Sequence, residues 1–145
     1  DSNGSLWSSR LWWVLNYYGH TNVKVLNGGW RKWFEEGRPV SDASPDRGST
    51  TFTPKTNDSL ICTLDYGVAN VDNSDVLFLD VRANSEWDGT NNRGNKRVGR
   101  VPNSVHLEWL NFVTDDKVMT IKPADELRAM LEAAGVTPEK EVVTY

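Results

Sequence analysis

Val76-Leu77-Phe78-Leu79 is a run of four apolar residues with no polar alternation. A strand with one solvated face would alternate, so this run predicts a strand buried on both sides. Such strands occur almost only in parallel sheets covered by helices. The run leads directly into Asp80-Val81-Arg82, charged residues at what becomes the carboxyl end of a strand. In open α/β sheets that end is where ligands bind.

The flanking pattern fits this class. Leu11, Val14, Leu15 and Tyr18 recur at helical spacing and predict a helix over 5–18, ended by Gly19. Val23 to Leu26 reads as a short strand and Trp30 to Glu36 as a short helix closed by Gly37. Leu60-Ile61-Cys62 and Ser104 to Leu107 read as strands, and Asp65 to Val71 as a short helix. Residues 84–99 are polar and rich in Gly and Asn, the composition of a loop. Pro123 to Ala134 is the clearest helix: Ala124, Leu127, Met130, Leu131 and Ala134 share a face, Pro123 suits the first turn, and Gly135 stops it. Glu141 to Tyr145 starts a further strand. Alternating helices and strands define an α/β protein with a parallel sheet. Residues 42–58, rich in Ser, Thr, Asp and Pro, read as a linker between 1–41 and 59–145.

Composition excludes several functions. The net charge is -4 and the pI about 5.1, which argues against nucleic acid or an anionic membrane as partner. No stretch reaches the ~20 apolar residues of a membrane span. Asp1 to Gly4 has neither a basic nor an apolar leader segment, so no signal peptide is expected. The single cysteine, Cys62, leaves no internal disulfide and no multi-cysteine metal site, and points to a reducing, cytoplasmic setting. Cys62 follows two apolar residues and reads as a small buried hydrophobe. His20 and His106 lack companions at ligand spacing, so no metal is expected and both read as structural. Gly28-Gly29 lacks the spacing of a nucleotide-binding loop, and no Ser occupies a nucleophile elbow. Seven Trp are expected mainly in the core, although exposed Trp rows can bind sugars. The basic segment Asn91 to Arg97 reads as a solvated loop that could also attract an anion.

Several ordered motifs resemble the rhodanese family. Residues 1–41, with Arg10-Leu11-Trp12-Trp13, Tyr18-Gly19-His20, Val25 to Trp30 and Glu36 to Val40, resemble the back half of the first module of a tandem rhodanese. Residues 59–145, with Leu79-Asp80-Val81-Arg82, Glu86 to Gly89, Val98 to Ser104, Leu107-Glu108-Trp109 and Val142 to Tyr145, resemble the front half of the second. The common Gly-His-Ile-Pro-Gly-Ala run reads Gly99-Arg100-Val101-Pro102-Asn103-Ser104 here, and Glu86 stands where some two-module members carry an arginine associated with anionic substrates. That last departure puts a preference for thiosulfate in question.

The resemblance implies a rhodanese-like α/β fold built from two partial modules, or from one permuted unit sharing a single sheet. It implies sulfur transfer from thiosulfate or 3-mercaptopyruvate to a thiol or cyanide acceptor, through a cysteine persulfide and without a cofactor. The implied cysteine directly follows the strand ending in Tyr145, outside this chain, and the equivalent first-module position falls on Asp1. No catalytic residue is therefore expected within the chain. Arg82 and Asp80 are the substrate-site candidates: Arg82 as part of an anion-binding mouth, or the two as a purely structural ion pair. The alternative to an enzyme is a noncatalytic rhodanese-like module that docks a protein.

Overall fold

A computed structural model describes residues 1–145, which divide into two compact units. The first comprises Asp1–Ile61 and Asp115–Ile121, the second Cys62–Thr114 and Lys122–Tyr145.

The first unit holds two helices, α1 (Leu6–Tyr17) and α2 (Gly29–Glu35). Helix N-termini leave backbone amides without partners. In α1 the carboxylate of Asp1 answers them, accepting from the amides of Trp7 at 3.0 Å and Ser8 at 2.7 Å, and from Asn3 at 2.9 Å in the approach. At the other end Gly19 turns left-handed (φ 86°), and His20 N–H donates back to the Leu15 carbonyl at 2.7 Å. That is the glycine stop expected from the sequence. The first residue of α2, Gly29, lies so close to the Asp1 carbonyl that a Cβ there would stand 1.8 Å from its oxygen. Residues 42–57 form no helix or strand, and Lys55 and Asn57 donate their amides to the carbonyls of Tyr18 and Tyr17. Residues 115–121 are held to α2 and the turn before it. Lys117 pairs with Glu35 at 2.9 Å, its carbonyl accepts from Arg31, and Ile121 N–H donates to Asn27 Oδ1 at 2.8 Å.

The second unit carries the sheet. Strands β1 (Val76–Asp80), β2 (Val105–His106) and β3 (Glu141–Thr144) run parallel in the order β2-β1-β3. Leu79 is opposite Val105 on one side and Thr144 on the other. Helices α3 (Leu64–Asn70), α4 (Asn84–Trp87) and α5 (Ala124–Ala133) intervene. Thr63 caps α3 by accepting from Tyr66 N–H at 3.2 Å. The four buried apolar side chains, Leu77, Phe78, Leu79 and Val113, all belong to this unit, and three come from β1. The continuous apolar run is thus the central strand of a parallel α/β sheet.

Several local expectations fail. Val23 to Leu26 is not a strand: no neighbouring strand is present in the first unit to take up its backbone groups. Leu60-Ile61-Cys62 is not one either. The chain makes a 3-10 turn over Asp58–Leu60, capped by the Asn57 carboxamide, which accepts from Ser59 N–H at 3.3 Å. Cys62 is exposed rather than buried. None of the seven Trp is buried; for the five in the first unit, among them Trp7 at 69% exposed, no sheet within that unit covers their helices. All three strands come from residues 76–144, so the single sheet shared by both segments is not formed. Residues 84–87 form the one-turn helix α4 where loop was expected, since four residues are too few to show a period.

Leu79, 3% exposed, and Leu64, 80% exposed, offer a contrast. Leu79→Ala is expected to lower the unfolding free energy in urea by roughly 2–5 kcal/mol, and Leu64→Ala by less than about 0.5 kcal/mol. Equal effects would contradict a core centred on β1.

Candidate active site at the carboxyl ends of the strands

β1 delivers Asp80 to its carboxyl end with no exposed surface. A buried carboxylate is tolerated only when paired and hydrogen-bonded. The chain supplies the partner two residues on. Arg82 Nε donates to both Asp80 oxygens at 2.9 and 3.1 Å, Nη2 donates at 2.5 Å, and the Arg82 amide adds a bond at 3.0 Å. Val81 intervenes on the opposite face of the strand, so spacing by two places both side chains on one side. Nη2 also donates to the Gly99 carbonyl at 3.1 Å, which ties in the loop before β2.

β3 closes the other side. Its ladder continues past Thr144: Tyr145 N–H donates to the Leu79 carbonyl and Val81 N–H to the Tyr145 carbonyl. The Arg82 guanidinium lies 5.3 Å from the centre of the Tyr145 ring, within cation–π range. The Tyr145 hydroxyl accepts from Val101 N–H at 3.0 Å and donates to Ser104 Oγ at 3.0 Å. The 99–104 loop is therefore held from two sides, by Arg82 and by Tyr145.

β2 adds a stack. His106 Nε2 lies 2.9 Å from the Arg82 carbonyl, so this nitrogen carries the proton. The imidazole stacks on Trp87 at 4.8 Å, and the Arg100 guanidinium covers Trp87 at 4.0 Å while donating to its carbonyl at 3.2 Å. Arg82, Glu86, Asn91, Asn92, Asn95, Arg97, Val98 and Gly99 line a polar cleft of about 150 Å³ beside the pair.

No family model matches the chain. Over 146 aligned positions it is 33% identical to the thiosulfate sulfurtransferase of Bos taurus, an alignment that takes in 99% of this chain and 48% of that protein. It is 31% identical over 150 positions to the sulfur carrier protein TtuD of Thermus thermophilus, covering 96% of this chain and 52% of TtuD. Among solved structures, SseA of Escherichia coli, described as having the rhodanese fold of 3-mercaptopyruvate sulfotransferases, superposes with a TM-score of 0.81 at 20% identity over 99% of this chain and 53% of its own. The chain has the rhodanese fold. It spans about half the length of the curated relatives it matches. Wild-type EanB, with a TM-score of 0.80 at 22% identity over 94% of this chain and 34% of its own, shares the fold.

Within this rhodanese fold, Asp80 and Arg82 are brought together, and Glu86 joins them at the cleft. Arg100, at the position where the family often has His, lies flat on Trp87. The contacts of His106, of Trp87 and of the Tyr145 hydroxyl were not foreseen in the sequence, because they join segments distant along the chain. Cys62 stands elsewhere. It neighbours Tyr66, whose hydroxyl is pushed up chiefly by a hydrogen bond to Glu141, the first residue of β3. That places Cys62 toward the amino ends of the strands.

Burial, the largest single influence, raises the Asp80 carboxyl, but the hydrogen bonds from the Arg82 side chain and amide, the Tyr145 hydroxyl and the Arg82 charge together outweigh it and hold the carboxyl below its ordinary value of 3.8. A carboxyl more acidic folded than unfolded stabilises the fold fully above about pH 4, and that contribution is lost as pH falls through the folded value. Unfolding free energy measured from pH 7 downward is expected to fall in this acid range, and Asp80→Asn is expected to flatten part of that fall. An unchanged acid profile in Asp80→Asn would show that the carboxylate carries no such linkage.

Proposed function

We propose that the chain is part of a rhodanese-type sulfurtransferase, moving sulfane sulfur from thiosulfate or 3-mercaptopyruvate to a thiol or cyanide through a cysteine persulfide. One observation carries the reading. Just past β3, Tyr145 lies against Arg82 at the carboxyl end of the central strand, where an open α/β sheet takes its ligand. Relatives named thiosulfate sulfurtransferase in Bos taurus and Azotobacter vinelandii support it.

On this reading residues 1–41 are the back half of a first module and 59–145 the front half of a second, with 42–58 between them. The reactive cysteine lies outside these 145 residues. A persulfide needs a thiolate, and a cradle of backbone N–H groups at a helix start lowers a thiol's pKa. In the first module that cradle is filled by Asp1, whose carboxylate accepts three backbone amides and offers no nucleophilic sulfur. Arg82, kept charged by Asp80, faces the cleft as part of an anion-binding mouth, and Asp80 fixes its direction. A reducing cytoplasmic setting, which keeps a thiol free, belongs to the same proposal.

Mass spectrometry after exposure to thiosulfate or 3-mercaptopyruvate tests the assignment. The 145-residue chain is expected to take up no sulfur. The full gene product is expected to gain one sulfur atom on a cysteine other than Cys62, and to do so equally in Cys62→Ser. Sulfur found on Cys62, or lost in Cys62→Ser, would contradict the proposal.

A further inference from the structure

The cleft beside Arg82 carries both signs of charge, each only partly answered within the chain. Arg97 forms no ion pair. Arg82 spends Nε and Nη2 on Asp80 and Gly99, which leaves Nη1 to donate. Asn91 and Asn92 use their carboxamide oxygens on the amides of Arg93 and Gly94, so their NH2 groups remain available as donors. These are the donors a carboxylate takes.

Glu86 lines the same cleft with the opposite need. Its side chain is only 18% exposed, its nearest cation is Arg93 at 3.7 Å, and its one hydrogen bond, from Ala83 N–H, is long at 3.4 Å. A partly desolvated carboxylate so weakly answered favours an incoming cation. A dianion would gain Arg97 and Arg82 but would also face Glu86. The cleft volume of about 150 Å³ leaves room for a small molecule.

We propose that this cleft binds a small zwitterion of the α-amino-acid class, its carboxylate on Arg97, Arg82 Nη1 and the Asn amides, its ammonium on Glu86. The binding stands on the cleft itself. The occupant's role rests on the sulfurtransferase reading, under which it is an amino-acid thiol, L-cysteine, that receives the sulfur. Its thiolate attacks the outer sulfur of the enzyme persulfide, the S–S bond breaks with its electron pair returning to the enzyme thiolate, and cysteine leaves as its persulfide.

Heteronuclear NMR titration of the 145-residue chain tests the site, with the side-chain amides of Asn91, Asn92 and Asn95 as reporters. The probes are L-cysteine kept reduced, L-alanine, cysteamine without a carboxylate, and 3-mercaptopropionate without an ammonium. Both amino acids are expected to shift these resonances and to bind about tenfold or more tightly than either singly charged thiol, the worth of one charge-assisted hydrogen bond. Glu86→Gln, which keeps the bulk and the bond from Ala83, is expected to lower amino-acid affinity by about the same factor and not to weaken 3-mercaptopropionate, from which it removes a like charge. No shift with either amino acid, equal binding of 3-mercaptopropionate, or indifference to Glu86→Gln would overturn the proposal. The two readings fail separately. Amino-acid binding without persulfide formation in the full gene product would remove the acceptor role and leave the site.

Discussion

The carboxylate of Asp80, fully buried at the end of the central strand, is the constraint on which the rest of the second unit depends. A buried charge without partners is prohibitive, and with one removed it is worse than none at all. Arg82 must therefore hold one direction, fixed by three side-chain hydrogen bonds and its own amide. Pairing of this kind does not by itself add stability over an apolar replacement. What it fixes here is direction: the planar guanidinium, committed on one edge, presents its remaining N–H groups to Gly99 and to the cleft.

From that anchor the surrounding chain follows. Gly99 is held by Arg82, Val101 and Ser104 by the Tyr145 hydroxyl, and Tyr145 by the ladder to β1. His106 reads the Arg82 carbonyl and supports Trp87, on which Arg100 rests. Three parallel strands thus end on one connected set of polar contacts. The sheet supplies rigidity, and the loops after β1 and before β2 supply chemistry, as the geometry of open α/β sheets dictates.

What was legible in the sequence was what local periodicity and uninterrupted apolarity encode. Val76 to Leu79 announced the central strand, and the face of Leu127, Met130 and Leu131 announced α5. What was illegible depended on neighbours. Val23 to Leu26 has strand-like residues but no strand to pair with, and Leu60 to Cys62 lost to the Asn57 cap. Buried positions were expected for Trp7, Trp12 and Trp30 because they lie in helical segments, yet no layer within their unit covers them. At the site, Asp80 and Arg82 could be named from their place after the buried run, and Glu86 from its departure from the family pattern. The Trp87–His106–Arg100 stack and the Tyr145 hydroxyl contacts could not, since they join residues 13 to 44 positions apart.

A double-mutant cycle on Asp80 and Arg82, read as unfolding free energy in urea, bears most directly on the central constraint. Arg82→Met alone leaves the buried carboxylate without its cation and is expected to cost about 3–5 kcal/mol. Asp80→Leu combined with Arg82→Met removes both charges and is expected to cost less than Arg82→Met alone. Single effects that simply add, within about 0.5 kcal/mol, would show that the two side chains are energetically independent, and that the Asp80–Arg82 pair does not anchor the site.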